Sequence, residues 1–259
     1  MKTIKETKAL FNSYIKNPEP FYFVRFGDGD LTLMKGANKE QRHKNSPMLT
    51  KELREALNIV DAGYHVSSTA GSFNDGSGSY FWIKRRDLRA LLDNDLRKIW
   101  QELRGDPDEG YHALIFQYTF EKDPLWFIKF VEEIFYDKKT LLIAGEPLCN
   151  KPLIEKMFNV TNTISFKGVR NAYYELDNKM DLILEKISEC DIILPVVGMA
   201  TRVLAKRLWQ DYQIRDKYLI DIGVTMDALA EAQHRGWTSR VVAEGVVNNY
   251  KDYFGVGNE

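Results

Sequence analysis

Short apolar runs alternate with amphipathic stretches over the second half of the chain. The runs lack polar–apolar alternation, which is typical of strands buried on both faces of a parallel sheet. The stretches between them repeat apolar residues at helical spacing. The pattern predicts strands at 140–144, 162–166, 191–197 and 218–222, and helices at 153–158, 173–188, 201–210 and 227–234. This order predicts an α/β fold: a mostly parallel sheet with helices on both faces.

The first half of the chain is less regular. Strand character is predicted at 21–26, directly before Gly27, and at 112–118. Helices are predicted from residue 4 to Pro18, from an N-cap at Thr50 to residue 60, and at 88–103 and 124–135. Ser, Gly, Asn and Asp dominate 67–79, which predicts a long mobile loop able to close over a ligand. No shift in composition marks a boundary, so we expect a single domain over residues 1–259.

Composition narrows the class of protein. The chain has 259 residues, of which 44% are hydrophobic and 28% charged, within the range of ordinary globular proteins. Lys and Arg total 36 against 37 Asp and Glu, a formal net charge of -1. This balance argues against a dedicated nucleic-acid-binding protein. The basic run at 84–86 is interpreted as an exposed helix face.

Cysteine use and hydropathy indicate the compartment. Cys149 and Cys190 are too few for a disulfide framework or a zinc site, and a reducing environment suits them. The N-terminal segment lacks the apolar region of a signal peptide. No run approaches the roughly 20 apolar residues of a membrane helix. We therefore expect a cytoplasmic protein without a membrane span.

Two carboxylates follow the first predicted strand, in a segment that reads RFGDGD from Arg25. In an extended segment, side chains two residues apart point the same way, and Gly27 and Gly29 permit tight backbone conformations. Asp28 and Asp30 are therefore predicted to ligate one Mg²⁺ or Mn²⁺, with Arg25 adding positive charge near the substrate's phosphates. The alternative is a tight turn that uses Asp and Gly for conformational reasons.

Two further strand ends carry polar residues beside glycine. Gly198 and Thr201 lie between a predicted strand and a predicted helix, whose free N–H groups suit a pyrophosphate. An ordinary capped turn explains the same residues equally well. Asp221 precedes Gly223 at the last predicted strand end. It is our candidate for a catalytic base, although it also fits a turn cap or a group that supports the metal.

A polar segment follows the predicted strand at 162–166. Lys167, Arg170 and Asn171 offer two cations and an amide to the ribose or phosphates of a nucleotide, or they form an exposed loop. Glu146, just after the strand at 140–144, is a second candidate for the base.

Taken together, these clusters resemble the GT-D glycosyltransferase family, whose pattern places arginine-phenylalanine-glycine-aspartate-glycine-acid near the N-terminus. Residues 25–30 match that pattern. An Asn-Ala-aromatic segment at 171–173, a glycine-x-x-threonine turn at 198–201 and an Asp-Ile-Gly strand end at 221–223 follow in the family's order. The matches span about residues 20–230 of this sequence.

The resemblance implies a Rossmann-like catalytic domain. It also implies a hexosyltransferase that moves a sugar from a nucleoside-diphosphate sugar, often a UDP-sugar, to a glycan, glycoprotein or other acceptor. It further implies a Mn²⁺ or Mg²⁺ cofactor bound by the acidic pair. Whether the protein forms a homo-oligomer is left open. Two positions depart from the family: Asp30 replaces the usual glutamate, and Val224 replaces a frequent histidine. The expected catalytic residues are Asp28, Asp30 and Asp221, and the expected donor-binding residues are Arg25, Gly27, Gly29, Lys167, Arg170, Asn171, Gly198 and Thr201.

Other functions use similar residues. A metal-dependent phosphohydrolase or nucleotidyltransferase would use the same acidic pair, and a non-catalytic module would bind nucleotide without turnover. A glycosyltransferase acting on modified DNA would draw on the basic run at 84–86, although the overall charge balance gives it no support.

Overall fold

Seven strands form one parallel sheet in the part of the chain that the structure describes. The computed structural model describes residues 2–36, 46–69, 86–104, 110–168, 171–232 and 236–257, with side chains from residue 94 onward in the third segment. The strands are β1 Tyr22–Phe26, β2 Tyr64–Ser68, β3 Tyr111–His112, β4 Thr140–Gly145, β5 Val160–Phe166, β6 Ile192–Val196 and β7 Tyr218–Ile220. Their order is β3-β2-β1-β7-β6-β4-β5, and every neighbouring pair is parallel. The predicted α/β fold is confirmed.

Helices connect the strands and cover both faces of the sheet. The described helices are α1 Ile4–Lys16, α2 Asp28–Met34, α3 Pro47–Leu57, α4 Arg86–Arg104, α5 Ile115–Lys122, α6 Pro124–Phe135, α7 Pro152–Met157, α8 Ala172–Ile187, α9 Ala200–Lys206, α10 Val224–Leu229, α11 Gly236–Ala243 and α12 Val246–Phe254. A 3-10 turn follows β4 at Glu146–Leu148, and a π-helical segment, Arg207–Asp211, continues α9.

β1 lies inside the sheet with a hydrophobic core on each side. All five of its residues are buried. Tyr22 and Val24 pack in a first core with α2, α3, α8 and α9, whereas Phe21 and Phe23 pack in a second core with α1, α5, α6 and α10. Because both faces are covered, apolar residues occur on both faces of the strand without alternation, as the sequence predicts, and Arg25 is its one charged residue.

The helices that follow the neighbouring strands β1 and β7 leave toward opposite faces of the sheet. Leu31 and Met34 of α2 belong to the first core, whereas Val224 and Met226 of α10 belong to the second. Diverging connections of this kind open a crevice at the carboxyl ends of the strands, where α/β sheets bind their ligands. Polar residues at the ends of β1 and β7 are therefore the first candidates for a site.

The strands of the second half match the predicted ones closely, as do α6, α7, α8 and α9 with its π-helical continuation. The helix predicted at 227–234 is displaced, since α10 spans Val224–Leu229, and α11 and α12 were not predicted. Four predictions in the first half are wrong. Ser46 rather than Thr50 is the N-cap of α3, because its hydroxyl accepts from the N–H of Leu49 at 3.1 Å. The predicted strand at 112–118 ends after two residues and gives way to α5, since the second core buries its apolar residues at helical spacing.

The third error concerns the predicted loop. Ser67 and Ser68 belong to β2, a strand that the sequence did not predict, and both are fully buried. The Ser67 hydroxyl donates to the carbonyl of Val24 at 3.1 Å, so a polar side chain is accommodated inside the sheet. The rest of the predicted loop, 70–79, lies outside the described residues. The fourth error, at 28–30, concerns the site and is treated there.

A histidine near the start of β2 makes stability depend on pH. Burial, with a smaller effect of the positive charge of Lys2, lowers the pKa of His65 from 6.5 to about 4. Tyr14 Oη lies 2.6 Å from its Nε2. The folded state therefore favours neutral His65, and the stability that this contributes is complete above pH 6.5 and is lost progressively as the pH falls from 6.5 to about 4. We expect the loss to approach about 3 kcal/mol.

Urea unfolding of wild type and His65→Gln at pH 7.5, 6 and 4.5 measures this contribution. The wild-type protein should lose more stability than the variant between pH 7.5 and 4.5, because glutamine does not titrate. Parallel pH profiles for the two proteins would contradict the assignment to His65.

Candidate active site

Three neighbouring strand ends bring the predicted polar residues together. Arg25 is in β1, Asp221 directly follows β7, and Gly198 follows β6. Because β1, β7 and β6 are consecutive in the sheet, their carboxyl ends lie side by side. Arg25 and Asp221 are both buried. The sheet thus unites three of the clusters found in the sequence.

The acidic pair after β1 is helical rather than extended. Asp28 is the first residue of α2, and Asp30 is the third. Residues two apart on a helix do not face each other, so the prediction that these carboxylates point the same way is wrong. Asp28 is exposed at the start of α2, just beyond the carboxyl end of β1, whereas Asp30 is only 4% exposed. The two aspartates therefore lie in different environments.

Asp30 holds the first turn of α2 in place. Its Oδ2 accepts from the N–H of Gly27 at 2.7 Å and lies 3.2 Å from Nη2 of Arg202. Burial raises the pKa of Asp30, and the guanidinium of Arg202 opposes that rise. Since the Gly27 N–H is engaged by Asp30, it is not available to a ligand in this conformation.

Arg202 of α9 is a central residue that the sequence analysis missed. Its guanidinium contacts Asp30, donates from Nη1 to the carbonyl of Gly198 at 2.5 Å, and lies 3.3 Å from Oδ2 of Asp221. Only 8% of the residue is exposed. A signal for it does exist, because Arg202 is the one charged residue in the apolar stretch 192–205. Lone charges in such stretches are usually paired when buried.

Asp221 lies between two arginines. Its Oδ1 is 3.4 Å from Nε of Arg25, and its Oδ2 faces Arg202. Arg25 also donates from Nη1 to the carbonyl of Ala113, in the loop after β3, at 2.8 Å. Because Asp221 is 1% exposed and enclosed by guanidinium groups, it is placed to orient the arginines rather than to take a proton from an acceptor.

Gly223 makes room for the guanidinium of Arg25. Its backbone has φ +59° and ψ -132°, a conformation that residues with a Cβ rarely adopt. A Cβ at this position would lie 1.5 Å from Nη2 of Arg25. The Asp-Ile-Gly segment at the end of β7 therefore supplies both the carboxylate that pairs with Arg25 and the space that Arg25 fills.

The turn after β6 packs against the turn after β1. Gly198 has φ +62°, and its carbonyl accepts from Thr201 N–H as well as from Arg202. The buried Thr201 hydroxyl accepts from the N–H of Val197 at 3.2 Å, so it stabilises the turn. A Cβ on Gly29 would lie 3.6 Å from Cε of Met199, which shows how closely the two turns approach.

The remaining candidates lie toward the other end of the same sheet edge. Lys167 and Asn171 are exposed after β5, and Arg170 lies outside the described residues. Glu146 is exposed after β4. β5 is four strands from β1, about 19 Å at ordinary strand spacing. Lys167 and Asn171 therefore lie well away from Arg25, whereas Glu146 follows β4, the neighbour of β6.

The charges of the central cluster balance. Arg25 and Arg202 oppose Asp30 and Asp221, so the four buried groups carry no formal net charge. Asp28 stands outside this pairing, and in the described part of the chain its carboxylate has no ion pair. The described residues contain no group of three or more His, Cys, Asp or Glu side chains arranged to hold a metal ion.

Comparison with known proteins gives consistent results. Residues 23–243 match the family model described as glycosyltransferase GT-D fold. No curated protein sequence matches the chain.

No helix among the residues with described structure is long and apolar enough to cross a membrane.

Solved structures share the fold at low sequence identity. One is described as a new glycosyltransferase (DUF1792) from Streptococcus sanguinis, with 18% identity, a TM-score of 0.66, and coverage of 95% of this chain and 85% of that one. Another, described as the highly conserved domain of unknown function 1792 with a distinct glycosyltransferase fold, has 18% identity, a TM-score of 0.62, and coverage of 94% and 81%. Because the family model matches residues 23–243, which is most of the chain, this chain belongs to the GT-D fold family of glycosyltransferases.

Proposed function

We propose that this enzyme transfers a hexose from a nucleoside-diphosphate sugar, with a UDP-sugar as the first candidate donor. The acceptor is a hydroxyl of a glycan or glycoprotein, and the reaction uses Mn²⁺ or Mg²⁺. The observation that carries the proposal is the position of Asp28. Its exposed carboxylate lies at the start of α2, just beyond the carboxyl end of β1, on the same turn as Asp30, which is anchored to Arg202. This arrangement suits a metal-bridged diphosphate.

A single exposed carboxylate fits the coordination habits of Mg²⁺. This ion keeps several waters and binds through one or two carboxylates together with substrate phosphates, rather than in an all-protein cage. Asp28 is free of ion pairs in the described region, whereas Asp30 contacts the Gly27 N–H and Arg202 through the same oxygen, Oδ2. We therefore assign Asp28 as the principal protein ligand, with Asp30 supporting its turn. When bound, the ion would offset the negative charge that grows on the departing diphosphate.

The protein's own groups contribute orientation and fixed charge. Arg25 and Arg202 are held by Asp221 and Asp30 before any ligand arrives, so they need no reorganisation when charge develops on the leaving group. A donor lying along the carboxyl edge would place its diphosphate over β1, β7 and β6. Its nucleoside would then extend toward Lys167 and Asn171 after β5.

Asp28→Asn tests the metal role directly. The substitution keeps the size of the side chain and removes the negative charge, so we expect metal-dependent sugar transfer to fall by at least about 100-fold. The far-ultraviolet circular dichroism should stay unchanged because Asp28 is exposed. Transfer is measured as nucleoside-diphosphate release from a panel of sugar nucleotides, with Mn²⁺, with Mg²⁺ and after chelation.

Asp181→Asn, an exposed aspartate on α8, is the matched control and should retain full activity. Full metal-dependent activity of Asp28→Asn would remove Asp28 from the reaction. Product analysis separates the competing chemistries, since a phosphohydrolase releases inorganic phosphate and a nucleotidyltransferase leaves the nucleotide attached to the acceptor.

A further inference from the structure

Arg202 connects the ends of three neighbouring strands. Through Asp30 it contacts the first turn of α2, which follows β1; through Asp221 it contacts the end of β7; and through the Gly198 carbonyl it contacts the turn after β6. The three partners belong to the connections that follow three different strands. A planar guanidinium with five N–H donors suits this task, and a point-like ammonium does not.

We infer that Arg202 is a positioning residue of the transfer reaction, which fixes the Asp28-bearing turn relative to the Gly198 turn so that both meet the donor diphosphate in register. The inference rests on the proposed function. Arg202 is 8% exposed and its guanidinium is engaged by Asp30, Asp221 and the Gly198 carbonyl, so it acts through these turns rather than by touching the substrate.

The positive charge of Arg202, like its contacts, favours binding of the donor diphosphate. With it, the two buried arginines and two buried aspartates carry no formal net charge. Without it, the remaining three groups carry a net charge of -1 beneath the place where a diphosphate must bind. Two substitutions separate these effects: Arg202→Lys keeps the charge and loses the fork, whereas Arg202→Met loses both.

The decisive experiment compares Arg202→Lys with Arg207→Lys. Arg207 lies five residues further along, is partly buried with 14% of its side chain exposed, and pairs with Glu52 and Asp177 rather than with the strand ends. Both variants should lose stability. Only Arg202→Lys should lose activity per folded molecule, by about 100-fold in kcat, because a misplacement of about 1 Å at the reacting groups has effects of that size. The affinity for UDP with Mn²⁺, measured by calorimetry, should fall as well.

Circular dichroism supplies the folded fraction, and assays are run well below each variant's Tm. Arg202→Met should be at least as inactive as Arg202→Lys. Wild-type kcat and UDP affinity in Arg202→Lys would overturn the inference, as would an equal loss of activity in Arg207→Lys.

Asp30→Asn provides a second measurement if both Arg202 variants fail to fold. It weakens one arm of the connection and should lower kcat by about 10-fold without affecting the Gly198 contact; unchanged kcat would count against the positioning role. A wild-type protein that transfers no sugar would instead overturn the proposed function, and this inference with it.

Discussion

Gly223→Ala should reduce both the stability and the activity of this enzyme sharply. The new Cβ would lie 1.5 Å from Nη2 of Arg25, and the backbone at φ +59° is strained for alanine. Strain of this kind costs about 1–3 kcal/mol, and separating the buried Arg25 from Asp221 adds to it. We expect the free energy of unfolding to fall by about 3–5 kcal/mol, and the turnover of the remaining folded protein to fall by about 100-fold as Arg25 is displaced.

Two other glycines separate the contributions. Gly36 has φ +85°, but no described atom lies within 4 Å of a Cβ at this position. Gly36→Ala therefore measures the effect of backbone strain alone. Gly257→Ala has neither strain nor a described neighbour and should be close to neutral. Denaturant unfolding and initial rates are measured on all three. If Gly223→Ala loses no more stability than Gly36→Ala and keeps its rate, Arg25 is not confined by this glycine.

Arg207→Met should be the second severe substitution, and it should act on stability rather than on chemistry. Arg207 donates from Nε and Nη2 to the two carboxylate oxygens of Glu52, at 2.8 and 3.1 Å. The Tyr173 hydroxyl donates to the same carboxylate at 2.7 Å. Removing one partner leaves a buried charge poorly compensated, so we expect a loss of about 3 kcal/mol in the free energy of unfolding.

A double-mutant cycle makes this expectation specific. Adding Glu52→Gln to Arg207→Met removes the uncompensated carboxylate and should restore part of the lost stability. Lys206→Met is the control, because Lys206 pairs with the more exposed Glu55 and Asp211 and should contribute less than about 1 kcal/mol. Additive losses in the cycle would show that Glu52 and Arg207 are not energetically coupled.

The network around Glu52 joins α3, α8 and the π-helical segment that continues α9. α8 begins directly after the polar segment at the end of β5, and α9 begins at the Gly198 turn. Loss of the Glu52 network should therefore also weaken α8 and α9, the two helices that follow these candidate donor-binding segments. The Arg207 variants distinguish general support of these helices from the specific positioning that we infer for Arg202.

Local patterns in the sequence were sufficient for most of the fold. Unbroken apolar runs such as β4 and β6 are possible only where both faces of a strand are covered, which indicates a parallel sheet. The errors concern short segments whose local propensity favours one conformation while long-range packing favours another. Ile115 and Phe116 favour a strand by propensity, but they pack into the second core as part of α5. Ser67 and Ser68 favour a loop, but β1 pairs with them.

The sequence by itself determined that Asp28 and Asp30 follow a buried strand, and that Asp221 and Gly198 follow two others. Only the tertiary structure decided what each does. The helical start of α2 turns Asp28 outward and Asp30 inward, and the sheet order brings Arg25 to Asp221 across 196 residues of sequence. Arg202 gains its partners in the same way. Strand formation depends on local patterns that a sequence displays, whereas the pairing of buried charges depends on which strand ends become neighbours, and long-range packing fixes that.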